Sequence, residues 1–239
     1  MAQSNVLIFG GIGGIGGALA DQLVQEGSRV YVTTRDPGNA APVHQNITVL
    51  GADVLNEESI RAAVQQSCAQ GLSGLAYCVG SIDLKPFSRA KPEDLQKAFA
   101  LNVIGAFIAV QEAASALAQS NGSVVLFSSI AAQRGFSNHS VIATAKAAIE
   151  GLTRSLAAEL APSVRVNAIA PSLTDTPLAK SMTQNAKIAE SIAAMHLLPR
   201  LGRADEIAAL AQFLLSDNSS WITGQILHVD GGRSTLERK

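Results

Sequence analysis

The sequence has few aromatic residues, which make up 4% of its 239 positions. Its two tyrosines are Tyr31, in a strand-like run, and Tyr77, so hydroxyls for proton transfer from tyrosine are scarce. The two cysteines, Cys68 and Cys78, lack the spacing of a metal site. We expect both to be reduced and buried, as free cysteines usually are, and we expect no metal centre.

The sequence also lacks an excess of charge and a long hydrophobic run. The formal net charge is −1, which argues against a nucleic acid or an anionic membrane as the main partner. No apolar stretch approaches the roughly 18 residues of a membrane span, so we expect no such span. The N-terminus has no basic region before its apolar run, and that run is too short for a signal peptide. We therefore expect a cytoplasmic protein.

The sequence does have enough apolar residues for a packed core, since 47% of its positions are hydrophobic and 15% are charged. Short β-branched runs alternate with helical runs, and several short runs are apolar throughout, as in strands covered on both faces. The pattern predicts a doubly wound parallel α/β sheet in one domain, residues 1–239. The predicted strands are 5–9, 29–34, 47–51, 74–79, 123–128, 164–170 and 226–229. The predicted helices lie near 15–26, 56–68, 92–118, 140–161 and 204–216.

The segment from about 173 to 203 interrupts this alternation. It is long, contains Pro177 and Pro199, and shows no strand pattern. Because it follows the carboxyl end of a strand, where α/β sheets bind ligands, we predict a substrate lid. His196 falls within this segment, and we favour a structural role for it over a substrate contact.

A glycine-rich turn, FGGIGGIGG, joins the first predicted strand to the first helix. The pattern G-x-G-x-x-G fits Gly11, Gly13 and Gly16, and a second register, G-x-x-x-G-x-G, fits Gly10, Gly14 and Gly16. Both registers predict a tight turn whose backbone N–H groups approach a pyrophosphate at the helix N-terminus. The expected cofactor contacts in this turn are Gly10, Ile12, Gly13, Gly14, Ile15 and Gly16.

The residues at the end of the second predicted strand help to distinguish an NAD site from an NADP site. An acid there favours NAD, but this chain has Thr34 and Arg35, followed by Asp36. Because arginine can fork onto a 2′-phosphate, we predict NADP(H) in preference to NAD(H). After the third strand, Asp53 with Val54 either reads the adenine amino group or, as an alternative, Asp53 caps the next helix.

Several segments resemble the short-chain dehydrogenase/reductase superfamily, over nearly the whole chain. They are residues 199–232, residues 164–172, Asn102 in ALNVIGAF, the run GSVVLFSS that ends at Ser129, and Lys146 with the helix after it. The resemblance implies a Rossmann-type sheet of seven parallel strands in the order 3-2-1-4-5-6-7. It also implies an oxidoreductase with a nicotinamide dinucleotide at the strand ends, assembled as a homotetramer or homodimer.

In that family a tyrosine gives the proton, assisted by a lysine, a serine and an asparagine. Carried over to this chain, Lys146 would bind the nicotinamide ribose, Ser129 would hold the substrate oxygen and Asn102 would support a proton relay. The family's tyrosine lies four residues before the lysine, where this chain has Ile142. Neither Tyr31 nor Tyr77 can fill this position, although Tyr77, near the end of the fourth strand, is expected to lie close to the cofactor.

The resemblance also implies cofactor contacts after the fourth and sixth strands. The family's Asn-Asn-Ala-Gly turn is replaced by residues 77–80, and its Pro-Gly is replaced by Pro171-Ser172. The next segment resembles the clamp on the nicotinamide carboxamide, with Thr174 acting through its backbone and Thr176 through its hydroxyl. The implied contacts are Val79, Gly80, Lys146, Pro171, Ser172, Thr174 and Thr176.

One residue could substitute for the missing tyrosine, namely His139. At about 100° per residue, position 139 lies about 20° from the direction of position 146, so His139, Ile142 and Lys146 share one helical face. A tyrosine seven residues before the lysine is the arrangement of enoyl-acyl-carrier-protein reductases in the same superfamily, and imidazole can act as a general acid. The alternative is that His139 only flanks the start of the helix.

Two hypotheses for the function therefore stay open. The first is an NADP(H)-dependent oxidoreductase acting on a small carbonyl or alcohol or on an activated alkene. Its proton donor is His139 or a water held by Ser129 and Lys146. The second is a catalytically inactive NADP-binding module with a sensing or scaffolding role, which the missing tyrosine motivates.

Overall fold

The structure, a computed structural model, describes residues 4–39 and 44–237. The first three residues, which bear on the expectation of no signal peptide, lie outside the described residues. Within the described ranges, one sheet takes strands from Asn5 near the start to Val229 near the end of the chain.

Parallel strands form the main sheet in the order β3-β2-β1-β4-β5-β6-β9, which confirms the predicted order 3-2-1-4-5-6-7. The last strand of this sheet is the ninth along the chain because two short strands precede it. The predicted strand ends agree with the observed ones to within about two residues. The strands of the main sheet are β1 (Asn5–Phe9), β2 (Arg29–Thr34), β3 (Ile47–Gly51), β4 (Gly74–Tyr77), β5 (Ser123–Phe127), β6 (Arg165–Pro171) and β9 (Ile226–Val229).

The helices lie on both faces of this sheet, and the predicted helix 92–118 is divided in two by a π-helical turn, Ala100–Ile104. By length and composition alone, Pro92–Gln119 could cross a membrane. Its second part packs on α2 and buries Ala113 and Leu117 in the core, as a core helix does. The helices are α1 (Gly14–Gln25), α2 (Glu57–Cys68), α3 (Pro92–Phe99), α4 (Gly105–Gln119), α5 (Ser140–Leu160), α6 (Lys180–Thr183), α7 (Ala186–Ala193) and α8 (Ala204–Leu215).

The strands bury side chains on both faces because helices cover both. In β1, Leu7 and Phe9 belong to the cluster beneath α2, α4 and α5. Their neighbours Val6 and Ile8 belong to the cluster beneath α1 and α8. Burying a side chain of this size stabilises the fold by about 1.5–3 kcal/mol. The continuous apolar runs in the sequence thus reflect central strands that helices cover on both faces.

The predicted lid segment, 173–203, does contain strand structure, so the expectation that it lacks a strand is wrong. Strands β7 (Thr174–Asp175) and β8 (Gly202–Arg203) pair in parallel at its two ends. Helices α6 and α7 lie between them. Strands of two residues are too short to produce an alternating pattern, and their pairing depends on residues far apart in sequence.

Candidate active site

A cavity of about 360 Å³ opens at the carboxyl ends of β4, β5 and β6. Residues that follow these strands, one face of α5 and the lid segment form its walls. This edge is where parallel α/β sheets bind ligands. The predicted cofactor contacts that line the cavity are Ile15, Val79, Gly80, Lys146, Pro171, Ser172, Thr174 and Thr176.

The turn between β1 and α1 forms a cradle of open backbone. Gly10 and Gly14 have φ angles of 77° and 57°, in the region that favours glycine, so the register with Gly10, Gly14 and Gly16 describes this turn. A Cβ on Gly16 would lie 2.4 Å from the carbonyl oxygen of Gly10. Helix α1 follows Gly13, which faces open space, and has no acidic residue in its first turn. Helical N–H groups beside open space fit a pyrophosphate.

The predicted adenine end lies at the same edge of the sheet. Arg35 is exposed, and Thr34 Oγ1 accepts a hydrogen bond from the Asp36 N–H (3.4 Å). Asp53 is exposed, and its carboxylate accepts from the backbone N–H two residues later (3.0 Å). Helix α2 is capped by the side chain of Asn56, so the alternative that Asp53 caps this helix is wrong.

Lys146 and Asn102 converge on the backbone at Gly80. Lys146 Nζ donates to the carbonyl oxygen of Phe127 (2.8 Å), and burial lowers the pKa of this ammonium to about 8. A Cβ on Gly80 would lie 3.3 Å from Lys146 Nζ and 3.1 Å from Asn102 Oδ1. An ammonium and an amide oxygen therefore border the same small space.

Asn102 lies on the π-helical turn, an irregularity often found at functional sites. Its Nδ2 donates to the carbonyl oxygen of Ala98 (2.9 Å). Its Oδ1 is buried and has no hydrogen-bond partner among the described residues. Leaving a buried amide oxygen unpaired is costly, so this atom fits a water or a ligand hydroxyl. Together with the glycine cradle, it gives the site the features that a nicotinamide dinucleotide requires.

Ser129 is the serine after β5 that is free to act on a ligand. It lines the cavity, and its Oγ accepts from the Ala131 N–H (3.2 Å), which leaves its hydroxyl proton available. The hydroxyl of the preceding Ser128 is instead engaged with Glu150 Oε1 (2.9 Å). The position predicted to hold the substrate oxygen is therefore also the one with a free donor.

Known proteins are similar to this chain in sequence and in fold. The family model described as Enoyl-(Acyl carrier protein) reductase matches residues 10–234. The protein called short-chain dehydrogenase/reductase SDRA, from Arabidopsis thaliana, is 34% identical over 232 residues, which cover 92% of this chain and 90% of that protein. The chain belongs to the short-chain dehydrogenase/reductase superfamily.

Two other members show how far the similarity extends. The 3-oxoacyl-[acyl-carrier-protein] reductase FabG of Aquifex aeolicus is 31% identical over 238 residues, 95% of each chain. The structure of ElxO with NADP bound superimposes with a TM-score of 0.89 at 27% identity, covering 98% of this chain and 100% of that one. The oxidoreductase family and its Rossmann fold therefore extend over nearly the whole chain.

In this short-chain dehydrogenase/reductase, Ile142 lies four residues before Lys146, where the sequence resemblance places the family's tyrosine. The Ile142 side chain is 5% exposed and lines the cavity. An aliphatic side chain has no proton to give. Any proton transfer in this cavity must therefore use another group.

Tyr77, which the sequence placed near the cofactor, does not replace the family's tyrosine. Its hydroxyl donates to the carbonyl oxygen of Leu101 (2.8 Å), and its ring packs on Phe9 in the core. Burial raises the pKa of this phenol. A Cβ on Gly105 would lie 2.2 Å from the hydroxyl oxygen, so the phenol is enclosed by α4 and does not line the cavity.

His139 occupies the N-cap position of α5, makes no side-chain cap there, and lines the cavity. Its Nδ1 lies 2.7 Å from the carbonyl oxygen of Ser137, and its ring packs against Phe136 with centroids 5.3 Å apart. Because a carbonyl only accepts, Nδ1 carries a hydrogen, which leaves Nε2 as the atom that exchanges a proton. His139, Ile142 and Lys146 line one cavity, as their shared helical face predicted.

The segment predicted to clamp the carboxamide bends back toward α1. A Cβ on Gly14 would lie 3.5 Å from Thr176 Cβ, so Thr176 sits beside the glycine cradle. Thr174 Oγ1 donates to the carbonyl oxygen of Ser172 (3.0 Å), and the carbonyl oxygen of Thr174 accepts from the Thr176 hydroxyl (3.4 Å). His196 is buried, with Nε2 2.8 Å from Ser172 Oγ. This contact agrees with a structural role for His196.

The sequence did not identify two other residues of this cavity, Phe136 and Arg233. Arg233 directly follows Gly231 and Gly232 after β9. The signal that could have revealed it is an arginine just beyond the carboxyl end of a parallel strand, at the ligand-binding edge. Phe136 lies in the irregular loop before α5, where no periodicity predicts which way a side chain turns.

The free energy of unfolding of the ligand-free protein is expected to rise between about pH 8 and about pH 10. Burial lowers the pKa of Lys146 to about 8, whereas a lysine in the unfolded chain keeps a pKa near about 10.4. In this window the unfolded chain binds more protons, so stability rises with pH, by up to about 1.4 kcal/mol per unit. Below this window both states are protonated and the contribution is flat.

Urea denaturation at intervals from about pH 7 to about pH 10 measures this effect. The matched control is Lys146→Met, which keeps the length of the side chain and removes its charge. The difference between the two proteins should grow in favour of the wild type as pH rises. Parallel profiles would show that Lys146 does not titrate in this window.

Proposed function

We propose that the protein is an NADP(H)-dependent oxidoreductase that interconverts a small carbonyl and its alcohol, or reduces an activated alkene, with His139 as the proton donor. One observation carries this proposal. His139, Ser129 and Lys146 line a single cavity that adjoins the glycine cradle at α1. We also propose that it acts in the cytoplasm.

When bound, the cofactor supplies a hydride to the substrate carbon or accepts one from it. Ser129 donates its hydroxyl proton in a hydrogen bond to the substrate oxygen, where negative charge develops. The protonated imidazole of His139 then gives its Nε2 proton to that oxygen, which completes the alcohol. In the reverse direction the neutral imidazole takes the proton. Lys146 holds the nicotinamide ribose, and Asn102 Oδ1 binds a water that passes protons to bulk solvent.

The donor could instead be a water held by Ser129 and Lys146. The free hydroxyl proton of Ser129 and the unpaired Oδ1 of Asn102 support this version, because a water needs such partners. The two donors differ in their response to mutation. Removing the imidazole abolishes the first route and leaves the second intact.

The substrate class is tested with a panel of small ketones, aldehydes and enones, measured by NADPH oxidation. The family model named for enoyl reductases and the relatives named for other reductions support both reaction types. Turnover that Lys146→Ala loses would support the proposal. A panel on which the wild type never exceeds Lys146→Ala would refute it.

Replacing Arg35 by alanine is expected to weaken NADPH binding by about ten- to over a hundredfold, because a charge-assisted contact contributes about 1.5–3 kcal/mol. NADH lacks the 2′-phosphate, so its affinity should change little. Arg35 is exposed at the end of β2 and forms no salt bridge among the described residues. The bound NADP in the similar ElxO structure supports this preference.

Calorimetric titration of both nucleotides checks the assignment. Arg29→Ala is the matched control, since Arg29 begins the same strand and so lies at the amino end of the sheet, away from the predicted cofactor site. Equal weakening of NADPH and NADH by Arg35→Ala would show that this guanidinium does not read the 2′-phosphate.

The second candidate function is a catalytically inactive NADP-binding module. The aliphatic Ile142 at the donor position favours it. This candidate predicts tight NADPH binding without turnover of any substrate in the panel, and no effect of Ser129→Ala on binding. Turnover that depends on Ser129 would exclude it.

We further propose a homodimer or homotetramer. On α4, Phe107 is 45% exposed, and Ile104 just before this helix is 51% exposed. Large apolar side chains in this position favour a protein partner over water. Analytical ultracentrifugation of the wild type and of Phe107→Glu measures the assembly.

A further inference from the structure

The charge of the cavity has one sign. Its lining includes the ammonium of Lys146 and the guanidinium of Arg233. Among the described residues, no aspartate or glutamate lines it. A cavity with cationic groups and no acid raises the local concentration of anions.

The Arg233 guanidinium is held in place by neutral groups. It lies over the Phe136 ring, 4.9 Å from the centroid. Its two terminal nitrogens donate to Ser172 Oγ (3.4 Å) and to Met195 Sδ (3.3 Å). The first distance is long for a hydrogen bond to oxygen, and the thioether sulfur of the second contact is a weak acceptor. The side chain is therefore oriented, while most of its N–H groups have no partner among the described residues.

The carboxylate nearest to Arg233 in sequence, that of Asp230, already accepts hydrogen bonds from other groups. Asp230 accepts hydrogen bonds from the Gly232 N–H (2.9 Å), the Ser234 N–H (2.9 Å) and the Ser234 hydroxyl. No salt bridge to Arg233 is formed within residues 4–39 and 44–237. A planar guanidinium with free donors matches a carboxylate in geometry and in charge.

A second guanidinium lies beside the first. Arg134 is 5.8 Å from the centroid of the same Phe136 ring, and it donates to the carbonyl oxygen of Arg233. Burial and the charge of Arg134 together lower the pKa of Arg233. Two like charges that share one ring repel each other, and an anion bound at Arg233 would relieve this repulsion.

We propose that Arg233 binds a carboxylate of the substrate, so that the substrate is an oxo acid or the corresponding hydroxy acid. The reaction assigned to this acid rests on the proposed function, whereas its binding does not. Among the described residues, Arg233 supplies the one guanidinium that lines the cavity, and its planar donor pair matches the two oxygens of one carboxylate. The body of the substrate would be a short alkyl chain, because the surrounding wall is apolar: Leu84, Ile130, Leu178, Met182, Ile192 and Met195.

Calorimetry with hexanoate and the neutral hexanamide tests binding without turnover. We expect the wild type, with and without NADPH, to bind hexanoate about ten- to a hundredfold more tightly than hexanamide, the size of a charge-assisted contact. Arg233→Gln should abolish this preference and Arg233→Lys should keep part of it. Arg154→Gln, which removes an exposed arginine of α5, should change nothing.

The second arm is kinetic. With NADPH, 5-oxohexanoate should exceed its methyl ester in kcat/KM by a similar factor, and Arg233→Gln should remove this difference. Equal binding of hexanoate and hexanamide by the wild type would overturn the proposal even if Arg233→Gln does not fold. An Arg233-dependent preference for hydroxyacetone phosphate over 5-oxohexanoate would also overturn it.

The two arms separate this proposal from the proposed function. Binding of hexanoate that depends on Arg233, without turnover of any substrate, would leave the carboxylate site standing and remove the oxidoreductase function. Reduction of ketones with no preference for the acid would support the oxidoreductase function and refute the carboxylate site.

Discussion

The variant His139→Asn is expected to lower kcat for carbonyl reduction by about 10²- to 10⁴-fold, the usual contribution of a positioned general acid. Asparagine keeps an N–H group that can reach the Ser137 carbonyl oxygen, which Nδ1 contacts at 2.7 Å in the wild type. The loop before α5 should therefore keep its shape. What the variant lacks is a group that gives up a proton at the position of Nε2.

The measurement is kcat and kcat/KM against pH, together with the affinity for NADPH. The affinity should stay unchanged, because His139 is not among the predicted cofactor contacts. Thr144→Ala is the control on the same helix, since Thr144 is exposed and bonds only the Ser140 carbonyl oxygen among the described residues. Full activity of His139→Asn would assign the proton to a bound water instead.

The variant Ile142→Tyr is expected to raise kcat/KM for small ketones by about 10²-fold or more, since it adds a general acid at the position where the sequence resemblance places the family's tyrosine. Ile142 lines the cavity one helical turn from Lys146, whose ammonium would favour ionisation of the new phenol. The cavity gives the larger ring room to extend. The gain should be greatest for small substrates that do not compete for this space.

Ile142→Phe is the matched control, because it adds the same ring without the hydroxyl. The double variant His139→Asn/Ile142→Tyr should keep the gained activity, since the phenol makes the imidazole unnecessary. Thermal melting of all three variants checks that they fold. If Ile142→Tyr is no more active than Ile142→Phe, Ser129 and Lys146 are not arranged for the family's chemistry.

The fold could be predicted because its signals are local and repeated. Strands buried on both faces leave continuous apolar runs, and β1 with its glycine turn has a sequence that few other structures require. The ladder between β7 and β8 could not be predicted, since it pairs two dipeptides about 28 residues apart, too short to leave a pattern. The π-helical turn that carries Asn102 has no periodicity of its own within a helical run.

In the candidate site, too, the residues with a local sequence pattern could be predicted, and those placed by long-range packing could not. Ser129, Lys146 and Asn102 could be located because each adjoins a regular element with a recognisable sequence. The direction of Tyr77 could not be predicted, because it depends on the space that Gly105 leaves on a different element. Arg233 and Phe136 meet across about 97 residues of sequence, and only their packing shows that the guanidinium faces the cavity. The residues that could not be predicted are those whose positions depend on packing between distant parts of the chain, which produces no local sequence pattern.

The ladder between Thr174–Asp175 and Gly202–Arg203 fixes the two ends of the lid at one place on the protein body. The entropy of closing a loop depends only weakly on its length once its ends are joined. The residues between these strands that follow Thr176 could therefore be exchanged, shortened or lengthened as a cassette, while the ladder keeps the ends of the segment in place. Thr176 would be kept, because it lies beside the glycine cradle. For an engineer this makes the predicted lid a unit for grafting, so that a different set of cavity-wall residues could be installed without rebuilding the glycine turn.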